Sequence, residues 1–305
     1  MKEKNKYLVI VTGPTAVGKT KLAITLAQYF NTEIISCDSR QFYKRLDIGT
    51  AKPTELELKT VKHHFINIKE PNELYGAGHF CEDALITLEK LYTSKDVVIM
   101  AGGSGLYINA LIHGIDEFEE VPISIREQLN ADYISKGKEY IQQLLLELDP
   151  LYYNQVDLNN SQRIIRALEL TLHTKQPYST LLTNQKATRN FIPIILFINT
   201  NREILYQRIN DRVDQMIQEG LVDEVKSLEK FANFNSLKTV GYSEIFAYLR
   251  QELSLAEAIE KIKQHTRNYA KRQITWIKNK FEHEEFEPTE FEKIKGYLEL
   301  IIQHG

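Results

Sequence analysis

The stretch "YLVIVTGPTAVGKT", residues 7–20, reads as a buried strand, a glycine-bearing turn and the opening of a helix. The spacing Gly13, four residues, Gly18, Lys19, Thr20 is that of a phosphate-gripping loop. In such a loop, successive backbone N–H groups and a helix N-terminus form a nest for an anion. The candidate phosphate site is therefore Gly13, Pro14, Thr15, Ala16, Val17, Gly18, Lys19 and Thr20. Lys19 supplies a point charge, and Thr20 a hydroxyl for Mg²⁺. A strand-to-helix junction is the context this motif requires, which argues against a chance glycine turn.

Working outward, three more apolar runs resemble the first: "EIISCD" (33–38), "DVVIMAGG" (96–103) and "IPIILFINT" (192–200). Their continuous Val/Ile/Leu character is that of strands covered on both faces. Helical patterns at 18–30 and 79–93 separate them. The alternation predicts an α/β fold with a doubly wound parallel sheet, ligands binding at the rim of strand C-terminal ends. Asp38, the glycine turn at 102–105 and the phosphate loop all fall on that rim. The gap between the runs at 96–103 and 192–200 is too long for one crossover helix. It contains three amphipathic patterns, "SIREQLNADYIS", "GKEYIQQLLLEL" and "NNSQRIIRALELTLHT". The expectation is a helical subdomain, 116–190, inserted into a core made of 1–115 and 191–305, with the chain helical from 200 to its end.

Composition narrows the class. With 43% hydrophobic and 26% charged residues, the chain is globular rather than disordered. Two cysteines, Cys37 and Cys81, are too few for a disulfide framework and fit a reducing compartment. No apolar run is long enough to span a bilayer, so a cytoplasmic protein without membrane contact is expected. The net charge of −3 conceals an asymmetry. Residues 261–280 carry seven Lys or Arg and no acid, whereas 281–305 carry seven Glu against two Lys. Such segregation points to an anionic partner.

The remaining candidates each have a plain alternative. A triphosphate-cleaving loop normally works with an acid at the end of a neighbouring strand. Only "IISCD" ends in one, Asp38, which reads equally as metal ligand, general base or helix N-cap. "DSRQFYK" and "GTAKP" bring Arg40, Lys44, Arg45 and Lys52 towards the rim, with Gln41 suited to a base edge. Ser104 in "GGSGLY" can donate to a phosphate or base, or merely close a turn. Arg163 and Arg166 share one helix face, fit for nucleic-acid phosphates or for solvent. Arg208 and Arg212 lie one turn apart, as a diphosphate clamp or as ion pairs with Asp211 and Asp214. "HTRNYAKRQITWIKN" interleaves Lys271 and Arg272 with Tyr269 and Trp276, which favours a nucleic-acid surface over a core-packing helix. His63-His64 is a weak metal signal without accompanying ligands.

Taken together, "GPTAVGKT", "DSRQFYKRLDIGTAKP", "HHF", "GGSGLY", "QRIIRALE", "RINDRVDQM", "GLVDEV", "VGYSEI" and "TRNYAKRQITW" resemble the tRNA dimethylallyltransferases, in that family's order. The resemblance spans residues 7–277, and "DSRQFYK…GTAKP" followed by "AKRQITW" is close to unique to the family. It implies a P-loop, nucleotide-kinase-like core whose ligand is dimethylallyl diphosphate. It implies a tRNA anticodon stem-loop as partner, and Mg²⁺ held by Thr20 as cofactor. By the same resemblance Asp38 is the general base and Arg212 the diphosphate arginine, with Thr20 completing the catalytic set. Asp38, Ser39, Arg40, Gln41, Ser104, Arg126, Gln162, Arg163, Ile164, Ile165 and Arg166 match its tRNA contacts, to which the basic helix adds Lys271 and Arg272. The absence of an acid at the ends of "DVVIMAGG" and "IPIILFINT" then has a reason, because no phosphoryl group is transferred. A monomer is expected. The alternatives are a nucleoside or nucleotide kinase using the same loop on ATP, and a non-catalytic RNA-binding module.

Overall fold

The computed structural model describes residues 4–116, 118–183 and 186–304. It divides into two compact units, one formed by 1–113 with 188–305, the other by 114–187.

The larger unit is built on a six-stranded sheet whose pairings are all parallel, in the order β3-β2-β4-β1-β5-β6. The strands are β1 (Tyr7–Thr12), β2 (Ile34–Ser36), β3 (His63–His64), β4 (Val97–Ala101), β5 (Ile192–Ile198) and β6 (Glu284–Phe286). β1 is central, with Tyr7 in register with Val97 on one side and Ile192 on the other. Every residue of β1 is buried, which explains its uninterrupted apolar run. Leu8 and Ile10 enter the core on one face of the sheet, Val9 and Val11 the core on the other. This is the two-residue period of a strand.

The helices of this unit are α1 (Lys19–Tyr29), α2 (Glu55–Thr60), α3 (Ala77–Tyr92) and α4 (Gly105–His113), then α10 (Arg202–Gln218), α11 (Leu221–Ser227), α12 (Tyr242–Leu249), α13 (Leu255–Lys280) and α14 (Phe291–His304). α13 is the longest at 26 residues and opens on a capping box between Ser254 and Glu257. The smaller unit holds α5 (Ile123–Lys136), α6 (Lys138–Leu148), α7 (Pro150–Tyr153), α8 (Ser161–Thr174) and α9 (Tyr178–Leu181) around Leu129, Ile141, Leu145, Ile164 and Leu168. Its three long helices coincide with the three amphipathic patterns, because apolar side chains spaced three and four apart must find a common face.

Three elements differ from the sequence reading. The chain after 200 is not all helix, since β6 pairs with β5 through Leu196–Glu284 and Ile198–Phe286. A three-residue edge strand rich in Glu presents no apolar run to read. His63-His64 forms β3 beside β2. There His64 Nε2 meets Glu33 Oε2 at 2.6 Å, while His63 Nδ1 sits 2.8 Å from the Val61 carbonyl. The glycine turn at 102–105 runs straight into α4, which the turn residues concealed. Among the described residues, no helix is long and apolar enough to cross a membrane.

Candidate active site

β1 ends at Thr12, and Gly18 begins α1 as its N-cap with φ 106°, a left-handed conformation that suits glycine. No side chain caps this helix start, so its N-terminal dipole is left to a ligand. Lys19 folds back and donates Nζ to the Pro14 carbonyl at 2.7 Å. Its surroundings lower its pKa to about 7, first through desolvation and then through the neighbouring Arg212, with Asp38 opposing. An anion beside Lys19 would act in the same direction as Asp38 and favour the charged ammonium.

The loop opens on a cleft of about 270 Å³ lined by Thr15, Lys19, Thr20, Asp38, Gln41 and Arg212 among others. The structure thus brings the predicted phosphate loop, the predicted base and the predicted diphosphate arginine into one space. Asp38 follows β2, and its Oδ1 accepts from the Arg40 N–H at 2.9 Å. It caps a turn rather than a helix while its carboxylate lines the cleft. Arg212 comes from α10 and donates Nη1 to Thr15 Oγ1 at 3.3 Å. The alternative ion pairs do not form, because Asp214 takes Lys263 and Asp211 accepts from Gln207. Burial lowers the pKa of Arg212. Arg208, one turn away, reaches the Val17 carbonyl at 3.4 Å.

The rim cations have more local duties than the sequence suggested. Lys44 and Arg45 pair with Glu70. Lys52, whose side chain is 6% exposed, is spent on the Tyr43 carbonyl, Asp47 and Asn67. Arg40 donates to the carbonyls of Asn235 and Ser236 at 2.7 and 3.3 Å. Gln41 donates Nε2 to the Thr50 and Ala51 carbonyls and accepts from Ser36 Oγ, so it braces the cleft wall. Ser104 Oγ accepts from the Ser39 N–H at 3.0 Å, which ties the glycine turn to the segment carrying Asp38.

In the smaller unit, Arg126 and Arg166 converge on Glu169, which is buried. Arg126 donates both Nε and Nη2 to Glu169 Oε2, at 3.1 and 2.7 Å. Gln162 and Arg163 are exposed. Ile164 and Ile165 are not available as RNA contacts: they are 0% and 7% exposed and pack the helical core. The helical period turns them inward as it turns Arg163 outward.

Two site features escaped the sequence. Gln273 on α13 accepts from the Thr15 N–H at 2.9 Å and donates to the Gly103 carbonyl at 3.0 Å. Its neighbours Lys271 and Arg272 are exposed, so a buried amide beside them had no signal beyond the motif "AKRQITW". Glu224 on α11 accepts from the N–H groups of Asp47, Ile48 and Gly49 and from the Tyr242 hydroxyl. The motifs "GLVDEV" and "VGYSEI" therefore meet on the loop that walls the cleft.

Among the described residues, no cluster of three or more His, Cys, Asp or Glu could cage a metal. Mg²⁺ commonly needs no such cage, taking one or two protein oxygens plus substrate phosphates and water. The Thr20 hydroxyl lining the cleft fits that requirement as a protein oxygen.

A phosphate loop sharing a cleft with a carboxylate and an arginine, on a parallel sheet, defines a P-loop α/β protein. The family profile described as IPP transferase matches residues 41–280, and the chain belongs to that family. It is 46% identical to a tRNA dimethylallyltransferase of Flavobacterium johnsoniae, with 90% of each chain covered. It is 44% identical to one of Christiangramia forsetii, covering 98% of this chain and 99% of that one. A crystal structure of a full-length tRNA isopentenylpyrophosphate transferase from Bacillus halodurans superposes with a TM-score of 0.72 at 34% identity, covering 99% and 98% of the two chains. A eukaryotic dimethylallyltransferase acting on tRNA gives a TM-score of 0.78 at 28% identity, covering 94% of this chain and 75% of that one.

Proposed function

We propose that this protein transfers the dimethylallyl group of dimethylallyl diphosphate to N6 of the adenosine 3′ of the anticodon in tRNA, releasing diphosphate. The observation that carries the reading is one cleft holding a phosphate loop, Asp38 and Arg212. The strands flanking β1 exit into Gly102-Gly103 and Asn199-Thr200, without the acid a phosphoryl-transferring loop uses.

In this reading the exocyclic amine attacks the prenyl carbon bearing the diphosphate. The new N–C bond forms, the C–O bond breaks, and the amine's surplus proton passes to Asp38. An exocyclic amine delocalised into its ring is a weak nucleophile, so a carboxylate within hydrogen-bond reach assists. The departing diphosphate gathers negative charge, which Lys19, Arg212 and the loop N–H groups stabilise. Mg²⁺ held by Thr20 would add neutralising charge to the diphosphate. The target base leaves the anticodon-loop stack to reach Asp38. Lys271 and Arg272 on α13, with Gln162, Arg163 and Arg166 on α8, bind RNA phosphates. A tRNA substrate supports a cytoplasmic location.

The test is incubation with Mg²⁺, dimethylallyl diphosphate and unmodified tRNA bearing adenosine 3′ of the anticodon. Prenylated adenosine and released diphosphate are expected. Hydrolysis of added ATP without RNA product would instead favour a kinase.

A further inference from the structure

The reaction requires the base and the leaving group to be held at a fixed separation, yet they sit on strands that do not touch. Asp38 follows β2 and the phosphate loop follows β1, with β4 between them in the sheet. The glycine turn after β4 therefore lies between the two halves of the chemistry. Gln273 joins that turn to the phosphate loop, through the Thr15 N–H at 2.9 Å and the Gly103 carbonyl at 3.0 Å. Ser104 joins the same turn to the base-bearing segment, through the Ser39 N–H at 3.0 Å.

The packing is built for this link. Gln273 is 6% exposed although both preceding residues are exposed cations. A Cβ on Gly103 would fall 2.1 Å from Gln273 Nε2, and one on Gly105 would fall 2.1 Å from the Trp276 ring. Two glycines of the turn thus allow α13 to press onto it with a buried amide and an indole. A buried amide retained at such a position has both its acceptor and a donor satisfied, whereas an apolar residue would leave the Thr15 N–H and the Gly103 carbonyl unpaired.

We infer that Gln273 is a positioning residue: with Ser104 it forms a relay from phosphate loop to glycine turn to Asp38 that sets the distance between general base and leaving group. This rests on the proposed prenyl transfer. A displacement of about 1 Å in such an arrangement costs on the order of 100-fold in rate without equal loss of binding.

The experiment compares wild type, Gln273→Met and Gln273→Glu in single-turnover prenyl transfer, alongside KM for dimethylallyl diphosphate, affinity for inorganic diphosphate with Mg²⁺, and thermal melting. Met approximates the volume but removes both hydrogen bonds. Glu keeps the acceptor for Thr15 and loses the donor to Gly103. The expected result is a fall in the rate constant of roughly 10- to 100-fold for Met. A smaller fall is expected for Glu, with KM and diphosphate affinity within about threefold of wild type. If Met does not fold, the rate and KM of Glu decide alone. A rate constant unchanged in a folded variant, or a loss confined to KM and diphosphate affinity, overturns the relay. An active wild type distinguishes that failure from failure of the proposed reaction. A wild type making no prenylated RNA overturns the reaction and this role with it.

Discussion

Asp38 carries two duties on one carboxylate. Its Oδ1 closes the turn at Arg40, and the group lines the cleft beside Lys19 and Arg212. Asparagine can keep the turn, because its amide oxygen also accepts from an N–H, but it cannot take a proton. Asp38→Asn should therefore lower the single-turnover rate by about 10²- to 10⁴-fold, the range of a lost general base, with tRNA affinity near wild type. Quench-flow rates and filter binding check this; equal rates would remove the assignment. The phosphate loop is legible at this scale because its chemistry is packed into eight consecutive residues. Asp38 is legible as an acid at a strand end, and its role comes from the family resemblance. Gln273 is not legible, because its partner Thr15 lies 258 residues away and nothing local to α13 shows a buried amide.

Elements are held by contacts that the motifs encode without displaying. The loop at 47–53 would be a polar connection on sequence grounds, yet Glu224 gathers three of its N–H groups and the buried Tyr242 hydroxyl. The loop presses so close that a Cβ on Gly49 would sit 2.6 Å from the Tyr242 ring. Glu224→Gln replaces one accepting oxygen with a donor facing N–H groups, and should cost about 1–3 kcal/mol. Urea denaturation measures that cost, and a change below about 0.5 kcal/mol would show the Glu224 hydrogen bonds to be incidental. The long buried strands and amphipathic helices are legible because their periodicity repeats over many residues. β3 and β6 are not, because two or three mostly polar residues at a sheet edge establish no period.

Across the whole molecule, the near-neutral charge resolves into a basic α13 and an acidic tail. Lys271 and Arg272 are exposed on α13, each near a tyrosine ring. Lys271→Glu with Arg272→Glu should weaken tRNA binding and flatten the slope of log affinity against log salt, by about 0.7–0.9 for each RNA phosphate no longer neutralised. Binding titrations at several salt concentrations report the slope, and an unmoved slope would make the helix face structural. An insertion is visible in the sequence as a stretch too long for one crossover. The sequence places its edges at 116 and 190, and in the structure the division falls at 114–187.

The central place of β1 has a consequence for synthesis. Tyr7 is synthesised well before its partners, Val97 on one side and Ile192 on the other. At about 5–20 residues per second, the strand bearing the phosphate loop waits on the order of ten seconds or more for its second neighbour. Both edges of this strand are open until Val97 emerges, and one remains open until Ile192 does, the kind of surface that chaperones shield. Translation speed across the codons for 114–187 should therefore influence the yield of folded protein, although none of the described residues there lines the cleft.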